Sequence, residues 1–258
     1  MILEYVGAAC IVALVQVIAY RCGFYRFPEM DRSHPPLSLP ALLGAYSIAL
    51  GIMVAFAYFC TPSLYSLVGT QVAICGALIG YLYLFPGIKR AVVRSRTGIL
   101  FGVISWIVCI PLVGFTSITI NAILAGYFNL PHIEQVAVKI IKAYLDKPLS
   151  FAAVATTVIF LVPAAEEILL RGFLQTYIKR FVSIKFAIPI TSLIFAVLHF
   201  SDSQGMQNID ILASLFVLSC FLGYIYERQN SIWAPIALHW TFNAATILMI
   251  ALKSLFRL

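Results

Sequence analysis

The 258-residue chain is 62% apolar, 14% aromatic and only 10% charged, with a formal net charge of +7 and a mean hydropathy of +0.99. That balance excludes an ordinary soluble domain, which has too little interior to hide so much apolar surface. The basic residues stand in short clusters between apolar stretches, without interleaved aromatic residues, so no nucleic-acid partner is expected.

A helix needs about 20 mostly apolar residues to cross the hydrocarbon core. Stretches of that kind predict spans at 2–20, 41–60, 64–85, 98–120, 150–178, 186–200, 209–226 and 231–252. The expected fold is all-α: a polytopic transmembrane helix bundle of about eight helices. The chain opens Met1-Ile2-Leu3-Glu4, without the basic segment of a secretory signal, so the first span is expected to be retained. Cys10, Cys22, Cys60, Cys75, Cys109 and Cys220 form neither a C-x-x-C pair nor a disulfide framework, and read as packing residues.

A cytoplasmic loop at 21–40 puts Arg21, Arg26, Arg32, Lys89, Arg90, Arg94, Arg96, Lys179, Arg180, Lys185 and Arg228 on one side of the membrane. The other side receives Lys139, Lys142, Lys147, Lys253 and Arg257, and Arg171 lies within a span. Eleven against five predicts that both termini face away from the cytoplasm. From Pro131 to Lys147 apolar and charged residues alternate at helical spacing, which predicts an amphipathic helix on the membrane surface. Spans upstream of it hold almost no ionisable residues, whereas those downstream hold several. The expected organisation is a transmembrane scaffold over 1–130, an interfacial connector over 131–148 and the working part over 149–258. His34 and His132 read as loop residues, and Tyr81, Tyr83, Trp106 and Trp233 as interfacial or packing aromatics against membrane lipid.

Three clusters carry polar groups into the downstream spans, where a charge is costly and is expected to face protein or a water-filled cavity. The first is Glu166, Glu167 and Arg171, after the apolar run Phe151 to Ala165. Glu167 and Arg171 are four apart on one face, acid before base. Glu166 lies about 100° around the helix, so the arginine neutralises one carboxylate and leaves the other for a different partner. Taken alone, such a pair of acids is as readily an ion-pair network or a helix cap. The second cluster is Phe195 and His199, one turn apart near the end of an apolar helix. The third is His239 and Asn243, an imidazole and an amide on one face. Pro163, three residues before Glu166, can kink its helix and open a cavity, and Gly172 suits close helix packing.

Depth joins the clusters. Lys179, Arg180 and Lys185 mark a turn near residue 183, with Glu166 17 residues before it and His199 16 after it. Both therefore lie about 25 Å along their helices and are expected to be neighbours across a hairpin. His239 and Asn243, about 11 and 15 residues past Arg228, should reach a similar level. A carboxylate with an imidazole can hold and deprotonate a water, and N–H donors on an opposite helix can meet a developing oxyanion.

With E-E-x-x-x-R, F-x-x-x-H and H-x-x-x-N in this order, the sequence resembles the CAAX-prenyl protease and bacteriocin-processing family, the type II CAAX endopeptidase or Abi group, over roughly residues 150–250. The resemblance implies an intramembrane endopeptidase in which Glu166 and His199 activate the attacking water and His239 and Asn243 form the oxyanion site. Glu167 and Arg171 would hold the helix in place, with Phe195 in support. It implies a peptide or protein substrate, prenylated chains being one class, and residence in a bacterial cytoplasmic membrane. No cofactor is expected, because prenyl-protease members of the family resemble glutamate-dependent enzymes. The alternative is a divalent metal such as zinc on Glu166, His199 and His239, although H-E-x-x-H is absent and no pair has zincin spacing.

Two other classes fit part of the pattern. A non-catalytic peptide-binding or bacteriocin-immunity membrane protein would have no need of Glu166 and His199 together. A proton-coupled transporter could use intramembrane Glu and His as a relay, but it would be expected to show matched, broken spans in two related halves.

Overall fold

The computed structural model describes residues 2–26, 37–95, 97–128 and 135–256. Among them the chain forms helices and turns and no β-strand: α1 (Ile2–Arg21), α2 (Leu39–Phe59), α3 (Leu64–Leu84), α4 (Pro86–Val93), α5 (Ile99–Phe128), α6 (Val136–Lys142), α7 (Pro148–Ile178), α8 (Ile184–Val197), α9 (Asn208–Gln229) and α10 (Trp233–Phe256). A tight turn of 3₁₀ type, Asp202–Gln207, leads into α9. Arg32, His34, Arg96, His132, Arg257 and the first residues of the expected connector lie outside the described residues.

Six helical segments are long and apolar enough to cross a membrane: α2, α3, α5, α7, α9 with its preceding turn, and α10. Their outward faces carry apolar side chains such as Leu50, Met53, Val54, Ile104 and Ile107, which only lipid can cover at this density. The chain is an all-α, multi-pass integral membrane protein. The other two expected spans fall on α1, with 20 residues, and on α8, with 14. At the helical rise α8 is about 21 Å long, short of the roughly 30 Å hydrocarbon core. It is thus too short to cross alone, and its C-terminal end delivers His199 into the protein.

Local signals set several ends. Ser63 and Ser66 form a reciprocal capping box at the start of α3, and the Ser38 hydroxyl accepts the Ala41 N–H at the start of α2. Asn230, in the left-handed conformation at φ +47°, ends α9. The buried stretch of α9 from Leu218 to Glu227 runs through the middle of the bundle, with α5, α8 and α10 around it. Close approach is set by glycine. A Cβ at Gly102 of α5 would lie 2.2 Å from Ala234 O of α10, and one at Gly172 of α7 would lie 2.4 Å from Val92 Cγ1.

One end of the bundle is tied by a buried polar network. Glu227 takes Arg94 Nη1 at 3.1 Å, Lys179 Nζ at 2.7 Å and Gln175 Nε2 at 2.9 Å. Nearby, Arg180 donates to Leu37 O at 2.9 Å and Arg228 to Gly23 O at 2.7 Å. Basic residues that the topology assigns to one side are thus gathered at one end, and α4 is fastened to α7 and α9. The sequence reading gives Glu227 no role.

Candidate active site

The site is built on α7, α8 and α10. α7 presents Glu166 and Glu167 between two π-turned segments, Thr157–Leu161 and Ile168–Gln175. A π turn lengthens the hydrogen-bond step to i→i+5, and such turns are frequent at functional sites. The cause of the first can be read residue by residue. Val162 N–H bonds to Thr157 O, and the next bond of that register, to Val158 O, needs the N–H that Pro163 lacks. Asn243 Nδ2 supplies the missing donor at 2.9 Å. Further donors reach carbonyls along the two segments: Trp240 Nε1 to Phe160 O at 3.0 Å, Cys75 Sγ to Leu161 O at 3.3 Å and the Tyr46 hydroxyl to Leu169 O at 3.2 Å. Side chains of α2, α3 and α10 therefore fix the rotation of the helix that carries both glutamates.

The two glutamates have different surroundings. Glu167 is fully buried, and its Oε1 accepts from Arg171 Nη1 at 3.1 Å and from His239 Nδ1 at 2.9 Å. Arg171, equally buried, donates from Nη2 to Ser219 Oγ at 2.6 Å and to Ser219 O at 3.1 Å. Its guanidinium lies 5.1 Å from the Phe195 ring centre, and Phe195 packs against His199 at 4.7 Å and His239 at 6.0 Å. Phe195 is thus the apolar spacer among three cation-capable groups. Ser219 gives no signal in the sequence, being a neutral residue in an apolar helix.

Glu166 keeps 27% of its side chain exposed and His199 35%. Glu166 Oε1 lies 3.8 Å from His199 Nε2, and its Oε2 lies 3.9 Å from His239 Nε2. These gaps are too long for direct hydrogen bonds and leave room for a water to touch both partners. The ring protons follow from the fixed acceptors. His199 Nδ1 is 2.8 Å from Phe195 O, and a carbonyl only accepts, so the neutral ring holds its proton on Nδ1 and turns an Nε2 lone pair toward Glu166. His239 gives its Nδ1–H to Glu167, so its Nε2 becomes a donor when the ring is an imidazolium.

A cavity of about 340 Å³ opens onto Glu166, His199, His239 and Asn243. Its remaining wall is mostly apolar, and part of it is α6, through Val136 and Ile141, so the expected surface connector also closes the site. The size suits a small ligand or a short stretch of peptide. Among the described residues, no group of three or more His, Cys, Asp or Glu side chains is placed to hold a metal ion. All seven residues singled out in the sequence meet around this cavity or directly behind it.

Comparison with known proteins bears on this region. Residues 148–245 match the family model of the Rce1-like proteins, type II CAAX prenyl endopeptidase Rce1-like. This region is Rce1-like. The match begins at Pro148, the first residue of α7, and ends two residues past Asn243, so it takes in the whole constellation. The Rce1-like region is less than half of the chain, and α1 to α6 lie outside it. At the level of family, the match is to membrane peptidases that act on peptide or protein chains. No curated protein and no solved structure gives a significant match.

Proposed function

We propose that the protein is a glutamate-type intramembrane endopeptidase, hydrolysing a peptide bond near the end of a peptide or protein chain with prenylated chains among its substrates. The observation that carries this reading is the division of labour between adjacent carboxylates: Glu167 is committed to Arg171 and His239, while Glu166 faces two imidazoles across a gap of water size. A binding protein has no use for a base poised beside an open lone pair. The Rce1-like match of the same region supports the reaction class.

In this mechanism a water sits between the Glu166 carboxylate and His199 Nε2, both acceptors. As its oxygen attacks the scissile carbonyl carbon, the water proton passes to Glu166. The carbonyl oxygen becomes an oxyanion and accepts Nε2–H from the His239 imidazolium and the second Nδ2–H of Asn243, whose first holds Val158 O. The intermediate collapses, the C–N bond breaks, and Glu166 returns the proton to the leaving amine. Charges balance within the apolar surroundings: the carboxylates of Glu166 and Glu167 together against the Arg171 guanidinium and the His239 imidazolium.

Purified protein in detergent is tested against quenched-fluorescent peptides, farnesylated CAAX peptides included, in ¹⁸O-labelled water. Cleavage with label in the new C-terminal carboxylate supports direct attack by water. Folded protein that binds these peptides and cuts none of them contradicts hydrolysis and leaves a binding or immunity role.

A further inference from the structure

His199 is followed by a tight turn that closes one side of the catalytic cavity, where Ser201 and Gln204 join its lining. Most polar groups around this turn are engaged. Asn208 accepts Ser201 N–H at 3.1 Å and donates to Ser201 O at 2.8 Å and to Gly205 O at 2.9 Å. The Ser201 and Ser203 hydroxyls bond each other at 2.9 Å. Gln207 donates to Asn121 Oδ1 at 2.6 Å, and buried Asp210 accepts from Asn121 Nδ2 at 2.7 Å, Ser117 Oγ at 3.1 Å and Ser214 Oγ at 3.2 Å. These bonds fasten the turn to α5 and to the first turn of α9.

Gln204 is different. It is only 3% exposed, yet its Oε1 is enclosed without any hydrogen-bond partner. A buried carbonyl without a donor is costly, and native structures keep such groups mainly where function or a ligand accounts for them. Of the other polar groups on the wall, Thr246 Oγ1 donates to Phe242 O at 2.9 Å, Asn243 holds Val158 O, and Gln135 is exposed, so Gln204 is the buried one whose oxygen is left without a donor. Ile211, Leu215, Phe242 and Ile247 offer no polar contact. A peptide entering this cavity would lose water from its main-chain N–H groups and needs an acceptor there. A carboxamide carries an acceptor beside a donor, the complement of a peptide bond.

We infer that Gln204 is a substrate-docking residue whose side-chain amide turns about its terminal bond when a peptide enters and hydrogen-bonds the main chain of that peptide, Oε1 then accepting one substrate backbone N–H. The assignment rests on the peptidase reading only for the identity of the bound chain. It makes Gln204 a positioning residue that sets KM, without a part in proton transfer.

The test uses the full-length protein in detergent, carrying Glu166→Gln so that bound peptide persists. Fluorescent apolar octapeptides, one with an S-farnesyl cysteine near its C terminus and one unmodified, are titrated by anisotropy with and without the additional change Gln204→Leu. A second series replaces one peptide bond at a time by an ester, removing a single N–H. The expected result is a Kd about tenfold higher with Gln204→Leu and a melting temperature unchanged or higher, because the unpartnered amide is gone. One ester position should weaken binding about tenfold to the protein that keeps Gln204 and leave binding to the Gln204→Leu variant unchanged. In the otherwise native enzyme, Gln204→Leu should raise KM and leave kcat within about twofold. The ester series needs no change at position 204, so a poorly folding variant does not remove the test. A lowered melting temperature with unchanged Kd, no ester position coupled to Gln204, or no peptide binding at all overturns the assignment. If the enzyme cuts no peptide while Gln204-dependent binding persists, the hydrolytic reading falls and the docking role stands.

Discussion

His239 donates its Nδ1–H to Glu167 at 2.9 Å, on the same carboxylate oxygen that takes Arg171 at 3.1 Å. This bond ties the histidine of α10 to the ion pair of α7. It gives Glu167 a second task besides anchoring its helix, which is to orient His239 and to balance its charge when the ring is protonated.

Arg171→Met should therefore be severe. It strands a fully buried carboxylate with only an imidazole for a partner, a loss of about 3–5 kcal/mol for a buried pair broken on one side. The double change Glu167→Gln with Arg171→Met removes both charges and should recover a large part of that stability. Activity should stay low in the double variant, because His239 has lost the carboxylate that orients its ring. Thermal unfolding in detergent and peptidase rate, measured on the same preparations, check both parts.

Asn243 is expected to serve two partners, and the two can be separated. Asn243→Ala should lower kcat about 10²–10³-fold, the usual loss for one oxyanion donor, and should also destabilise α7 by leaving Val158 O without its donor. Pro163→Ala restores a backbone N–H at the position that the π register needs. Combined with Asn243→Ala, it should regain melting temperature and not kcat. Recovery of activity in the double variant would assign Asn243 a purely structural role.

Gly102 sets the distance between α5 and α10. A methyl group there meets Ala234 O at 2.2 Å, a backbone atom that cannot rotate away, so α10 must shift. Gly102→Ala should cost about 1–3 kcal/mol and lower activity as well, since α10 carries His239 and Asn243. The expected readout is a lower melting temperature with a reduced kcat. An unchanged kcat would show that the site tolerates displacement of α10.

What is legible in the sequence is local or depends on counting. The apolar spans follow from composition, the Glu167–Arg171 pair from spacing along one helix, and the meeting of Glu166 with His199 from equal distances to the turn near residue 183. Bonds made between helices of unrelated register are not legible in this way. These include His239 to Glu167, Asn243 to Val158 O and Arg171 to Ser219, because nothing in one helix fixes its rotation against another. Pro163 shows the same limit. Its residue type predicts a disturbed helix, and the form this takes, a π-turned segment whose missing bond is supplied from α10, depends on a partner that the local sequence does not show. The apolar run that predicts a longer α8 continues through Leu198 and Phe200, past the last helical residue at Val197.

The central claim is that Glu166 and His199 together activate the attacking water without a metal. The most direct measurement is the rate at which purified protein cleaves a quenched-fluorescent CAAX peptide, for the wild type, Glu166→Ala and His199→Ala, each with and without a chelator. Both side chains are partly open to the cavity, so the variants should keep a melting temperature close to that of the wild type. Each substitution is expected to lower kcat by at least about 10²-fold, with the wild-type rate unaffected by chelator. A rate abolished by chelator and restored by zinc would contradict the claim and place a metal on Glu166, His199 and His239. Undiminished cleavage by Glu166→Ala would remove the carboxylate from the chemistry altogether.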